Sequence, residues 1–202
     1  MGALYKFEID KIREKFNLTT LVETGTFKGT GVQFALDNGF KRVISIEIDE
    51  ELSKAAQEKF KDYDVKIITG DSSEVMQTLT IKGNALFWLD AHFPGADAGK
   101  ARYDAIEEYH TRLPLEREIN FIKSRVDKYA DVIICDDLCI YEDNKELDFN
   151  FDKHCNDHGF GVTRKSVGGK GIDFIHNAFD KTHTIKKIYK DQGYIAILPN
   201  EI

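Results

Sequence analysis

The sequence contains no run of about 18 apolar residues, the length needed to cross a bilayer, so no membrane span is expected. No secretory leader is expected either. Met1-Gly2-Ala3-Leu4-Tyr5-Lys6 passes straight into charged residues instead of an apolar stretch. Cysteine is scarce and odd in number. Cys135, Cys139 and Cys155 lack zinc-site spacing, which points to reduced thiols in a cytoplasmic protein. Positive charge is in deficit: 28 Lys and Arg face 35 Asp and Glu, a formal net charge of −7. That balance argues against a nucleic-acid partner bound through broad positive charge.

Two phosphate-binding signatures are absent as well. A dinucleotide fingerprint needs G-x-G-x-x-G, but Phe27 stands where the second glycine belongs. A P-loop needs Gly-Lys-Ser/Thr after a four-residue gap, and Gly25 is followed at that distance by Thr30. What the chain has instead is Leu21-Val-Glu-Thr-Gly-Thr-Phe-Lys-Gly-Thr-Gly31, an apolar strand end, an acid and three glycines, running into the helical Val32-Gln33-Phe34-Ala35-Leu36. Glycines let backbone approach a ligand, and a helix start offers free N–H groups. The pattern Glu23-x-Gly25-x-x-x-Gly29 therefore reads as a nucleotide-binding corner, against the plainer reading of a tight turn.

At 202 residues the chain reads as a single domain, 1–202. Residues 1–18 carry an amphipathic N-terminal helix over Leu4–Phe16, and residues 91–114 form a polar segment long enough to be an active-site loop or lid. Apolar runs recur at 21–23, 43–49, 65–69, 85–92 and 132–137, with helical patterns between them. Helices are expected near 29–38, 50–60, 73–79, 115–129 and 144–157. Thr182–Lys190 and Tyr194–Leu198 flank Asp191-Gln192-Gly193 and read as a closing antiparallel hairpin. This alternation predicts an α/β, Rossmann-like, doubly wound and mostly parallel sheet of seven strands, with the hairpin at the C-terminal end.

Ligands of such sheets bind at the carboxyl ends of the strands. The acids gather there: Glu23, Glu47, Asp71, Asp90, Asp136 and Asp137. Glu47, about 20 residues beyond the glycine turn, suits a pair of ribose hydroxyls. Asp71 suits an adenine amino group or the N-cap of the next helix, with Ser72 beside it. His92 is a general base by type, or simply a loop cap, and Asp90 can play the same part. One acid of the Asp136-Asp137 pair fits a helix cap as readily as a metal. Tyr103, Tyr109 and Arg112 either contact an acceptor or pack the long loop down.

Taken in order, these motifs resemble the class I S-adenosylmethionine (SAM) methyltransferases from about Leu21 to Asp137, and that family's last strand is also antiparallel. The resemblance implies that Glu23, Gly25, Thr26 and Gly29 surround the methionine part of SAM. Glu47 would hold the ribose, with Ile48, Asp71 and Ser72 around the adenine and Asp90 touching cofactor or acceptor. Asp90 with Asp136-Asp137 further resembles a metal-dependent branch that methylates sugar hydroxyls, the macrocin O-methyltransferase-like enzymes. Trp88-Leu89-Asp90-Ala91-His92 and Leu113-Pro114-Leu115-Glu116-Arg117-Glu118 are similar to methyltransferases found with glycan genes in bacteria and viruses. The resemblance implies a sugar or glycan acceptor, Asp90, Asp136 and Asp137 around Mg²⁺ or Mn²⁺, and a glycosyltransferase domain as neighbour. The chemistry agrees: a sugar hydroxyl is a weak nucleophile, and converging carboxylates repel one another unless a cation sits among them. A catechol or amine acceptor, or a nucleotide-binding oxidoreductase or binding module, stand as the alternatives.

Overall fold

The computed structural model describes residues 3–96 and 99–200. Seven strands form one sheet: β1 (Thr20–Thr24), β2 (Arg42–Glu47), β3 (Val65–Thr69), β4 (Ala85–Leu89), β5 (Val132–Cys135), β6 (His183–Ile188) and β7 (Tyr194–Pro199). Their order is β3-β2-β1-β4-β5-β7-β6. The first five run parallel, and β7 is antiparallel to both β5 and β6. The Rossmann-like α/β sheet and its closing hairpin are thus as the sequence pattern implies.

Strand alternation splits the core into two layers. Val22, Phe87, Leu89, Ile133 and Cys135 face one side, where Met76, Ile119, Ile122 and Ile175 cover them. Leu21, Leu86, Trp88, Val132 and Ile134 face the other, against Ile9, Val32, Ala35 and Phe60. The central strands are apolar on both faces because helices cover both, as parallel strands require. Each fully buried side chain of this size contributes roughly 1.5–3 kcal/mol.

The helices are α1 (Ile9–Lys15), α2 (Thr30–Asp37), α3 (Glu50–Lys59), α4 (Ser72–Thr78), α5 (Tyr109–Arg112), α6 (Leu115–Lys123), α7 (Leu138–Tyr141), α8 (Phe151–Asp157) and α9 (Asp173–Phe179). Three differ from the sequence reading. The N-terminal helix is broken: a 3₁₀ turn at Leu4–Lys6 ends in extended Phe7 before α1 begins. Phe7 leaves the helical path to set its ring against Trp88 and Tyr194. α6 stops at Lys123 instead of Tyr129, because Arg125 turns inward to Asp131. The helix expected over 144–157 covers only Phe151–Asp157, since Asn144 Oδ1 takes the Glu146 amide in a side-chain turn. Among the described residues no helix is long and apolar enough to cross a membrane. All three cysteines are buried and free.

Candidate functional site

The strand ends place the acids in register. Glu23 on β1 lies beside Ser45 on β2 and Trp88 on β4, and the chain leaves β1 into the glycine turn. That turn is fastened to β2: the amides of Gly25 and Thr26 both donate to the Ile46 carbonyl, at 2.9 and 3.2 Å. Gly25 has φ +84°, and a Cβ there would stand 2.8 Å from the Asp90 carbonyl oxygen, so a side chain is excluded twice over. At Gly31 the close neighbour is the Glu23 side chain, which would have to shift to admit a Cβ. That Cβ would fall 1.9 Å from Glu23 Oε1. Gly29 has φ +70° and a Cβ there would stand 2.5 Å from the Phe60 ring, so it shapes the turn, and the cavity wall runs past its neighbours.

Glu23 is 2% exposed. It accepts a hydrogen bond from Ser45 Oγ at 2.6 Å, and Ser45 Oγ is 2.6 Å from Thr26 Oγ1. Burial pushes its pKa to about 8, with the Glu47 charge adding to the rise and the Ser45 bond opposing it. Glu47 closes β2. Its two oxygens accept from the amides of Phe27 (2.6 Å) and Asp49 (2.9 Å), which fixes the carboxylate while leaving each oxygen a second lone pair. Ile48 follows it, 38% exposed and on the cavity wall. Asp71 caps α4 through the Ser73 amide at 2.8 Å, and its other oxygen accepts from the Thr111 hydroxyl.

These groups line one cavity of about 400 Å³. Its wall runs from Glu23, Gly25, Thr26, Glu47 and Ile48 past Asp71 and Ser72 to Asp90 and His92. Phe93–Ala96, Tyr103, Thr111 and Pro114 bring the 91–114 segment over it, Asp97 and Ala98 lying outside the described residues. Lys100 spans from this segment to Asp49 at 2.7 Å. Tyr103 rests edge-on against Phe93 and Phe151. Arg112 packs the segment down, its guanidinium donating to the carbonyls of Val167 and Ile106.

At the β4 and β5 ends three donors converge. His92 Nε2 is 2.7 Å from Asp137 Oδ2, and His92 Nδ1 is 3.8 Å from Asp90 Oδ1. One donor atom from each of Asp90, His92 and Asp137 falls within 4.8 Å of the others, a spacing that fits a single cation at ligand distances near 2.0–2.5 Å. One imidazole with two carboxylates suits Mn²⁺ better than the all-oxygen shell Mg²⁺ favours. This candidate cluster differs from the metal set read from the sequence in one member, holding His92 where that set has Asp136. Asp136 instead turns Oδ1 back to the Asp137 amide at 2.8 Å. This hydrogen bond accompanies a tight turn that puts Asp137 at φ +54°. Burial and the Asp137 charge raise Asp136 to about 7, and burial with the Asp136 charge lifts Asp90 well above the usual carboxylate range.

The sequence reading missed one residue here. Glu118 on α6 is buried, and burial raises its pKa to about 7, while the nearby hydroxyls of Ser72 and Thr24 oppose the rise. The signal was present: Glu118 falls on the same helical stripe as Leu115, Ile119 and Ile122, an acid on an apolar face.

No protein-family model matches the chain, and no curated protein matches it. Solved structures do resemble it. An O-methyltransferase from Streptomyces achromogenes involved in tomaymycin synthesis, in complex with SAM, superposes with a TM-score of 0.57 at 12% identity, covering 100% of this chain and 82% of that one. An O-methyltransferase from Bacillus cereus in complex with SAH gives 0.57 at 15%, over 99% and 83%. A candidate caffeoyl-CoA O-methyltransferase from Staphylococcus aureus gives 0.54 at 18%, over 99% and 85%. At these identities the likeness is one of fold.

Proposed function

We propose that this chain is a SAM-dependent O-methyltransferase whose acceptor is a hydroxyl of a sugar or glycan, with a divalent cation held by Asp90, His92 and Asp137. The observation that carries the reading is the continuity of one cavity, from the Glu23–Gly25–Glu47 corner to the Asp90–His92 cluster. The fold shared with O-methyltransferases solved with SAM and SAH supports the cofactor. Glu47 holds two hydroxyls with its free lone pairs, and Ile48 covers a flat base. Buried Glu23, with Thr26 beside it, faces the amino-acid end.

Bound SAM would supply a methyl group on a sulfonium, and a divalent cation would lower the pKa of the acceptor hydroxyl. The chain's own residues do the rest. Phe93 and Tyr103 add apolar surface to the cavity wall against which a sugar ring can sit. Of the cluster, Asp90 and His92 line the cavity; with the His92 lone pair given to the cation, the second oxygen of Asp90 would take the acceptor's proton. Asp137 orients His92 through Nε2. A phenolic acceptor is the second reading, favoured by the name of the Staphylococcus aureus neighbour. The three-donor cluster favours the sugar, whose hydroxyl needs more activation than a phenol's.

Calorimetric titration with SAM and SAH, with and without Mn²⁺, is the test, followed by glycoside and catechol acceptors. Micromolar binding of both ligands is expected, and absence of heat with either overturns the reading. Glu47→Ala is expected to weaken SAH binding at least about tenfold. Asp137→Ala should leave it within about twofold while lowering turnover about 100-fold or more.

A further inference from the structure

Beside the Asp90–His92–Asp137 cluster lies a second, much smaller space. It holds about 10 Å³, the room of roughly one water molecule. Glu118, Ala91, His92, Asp136, Asp137 and Tyr141 border it. His92 borders both this void and the main cavity, whereas Glu118, Asp136 and Asp137 do not line the main cavity.

Glu118 is what makes the void unusual. The residue is 1% exposed, and neither carboxylate oxygen meets a donor in good hydrogen-bond geometry among the described residues, although the Ser72 and Thr24 hydroxyls lie close enough to oppose the rise in its pKa. A buried carboxylate left without partners is unfavourable, and a leucine would continue the apolar stripe of α6 at that position. Asp136 and Asp137 leave acceptor capacity toward the same void, one oxygen of each being occupied by the Asp137 amide and by His92. The void thus gathers three carboxylates, and the donors on its border, the Tyr141 hydroxyl and the His92 ring, make no hydrogen bond to Glu118. Water is the donor of the right size, and a water bound to a cation is the strongest neutral donor available there.

We propose that Glu118 is a positioning residue for the cation centre: its carboxylate accepts a hydrogen bond from a water in the void, and that water is one of the ligands of the cation held by Asp90, His92 and Asp137. The inference rests on the cation reading given above. Outer carboxylates of this kind orient the inner ligands and tune affinity, and losing one typically weakens binding 10–100-fold. It also gives a physical reason for an acid on an apolar helix face, which packing alone does not supply.

The test is calorimetric titration of the full chain with Mn²⁺ alone, in wild type, Glu118→Gln and Glu118→Asp, with SAH affinity and the melting temperature of the metal-free protein measured alongside. Glu118→Gln is expected to bind Mn²⁺ at least about tenfold more weakly. Its SAH affinity should stay within about twofold and its metal-free melting temperature should not fall, because the uncompensated charge is gone. Glu118→Asp, which keeps the charge but shortens its reach, is expected to lie between. Wild-type Mn²⁺ affinity in Glu118→Gln would leave Glu118 a purely structural acid and overturn the proposal. Should Glu118→Gln not fold, undiminished Mn²⁺ affinity in Glu118→Asp overturns it equally. If wild type binds SAH but no Mn²⁺, the cation reading itself fails and this inference falls with it. If wild type binds Mn²⁺ and Glu118→Gln matches it, only this inference fails.

Discussion

Glu23 condenses the site's electrostatics into one side chain. Its ordinary pKa is 4.5, and burial raises it to about 8, so the folded protein holds the proton more tightly than the unfolded chain does. The stability that this neutral form contributes is complete below about pH 4.5 and is lost as pH rises through about 8. Asp136 and Glu118, both raised to about 7, act in the same direction, so the pH profile of wild type alone does not isolate Glu23. The difference from Glu23→Gln does. In ligand-free urea melts the variant's advantage over wild type should grow from about pH 5 to about pH 8 and level off above. A difference that is flat across that range would show that Glu23 is ionised in the fold throughout. At this scale the sequence was informative where an acid closes an apolar run, as at Glu47 and Asp90, because both signals are local. It was silent on pairing. His92 and Asp137 are separated by the long loop and by α6, and only the β4–β5 register brings Nε2 within 2.7 Å of the carboxylate.

At the scale of elements, the edge of the sheet opposite the site is closed by a polar network that no motif announces. Arg125, just past α6, meets Asp131 with Nε–Oδ2 at 2.7 Å and Nη2–Oδ1 at 3.1 Å. It also donates to the carbonyls of Ile81 and Gly83, and Asp131 accepts the Ala85 amide as β4 begins. Both side chains are almost wholly buried. Removing one partner of such a pair leaves an uncompensated charge and costs about 3–5 kcal/mol. Arg125→Ala should therefore lower the urea midpoint strongly, while SAH affinity of the folded fraction is unchanged. A loss below about 1 kcal/mol would mean that water replaces the guanidinium. The same pair explains why the helical periodicity expected to run to Tyr129 stops at Lys123. Periodicity registers a stripe of apolar residues, and it has no term for an arginine leaving the helix to reach a neighbouring loop. Phe7 ended the N-terminal helix in the same way, drawn to Trp88 and Tyr194.

Over the whole molecule, the carboxyl ends of the strands carry Glu23, Glu47, Asp90, Asp136 and Asp137 on one edge, with Glu118 delivered by a helix from the side. A ligand that binds only the folded chain stabilises it by mass action, about 2.7 kcal/mol at 100 times its Kd. For a chain of this size, SAH at that excess should raise the melting temperature by about 5–10 °C, read by scanning calorimetry. No shift would mean that the cavity takes another ligand. The parallel class of the sheet was legible in the alternation of runs. The placement of β7 between β5 and β6 is instead set by long-range pairing that no local pattern encodes.

That placement also sets a schedule. β5 has no partner on its outer edge until β7 arrives, and the turn holding Asp136 and Asp137 is tied down by hairpin carbonyls, Leu138 N to Gly193 and Cys139 N to Gln192. A chain emerging from the ribosome has made every residue of the cavity long before it makes Tyr194–Pro199. Through that interval the β4–β5 half of the site lacks its brace and β5 exposes a bare, apolar edge. The nascent protein would then be most open to wrong partners until β7 pairs with β5 and braces the site.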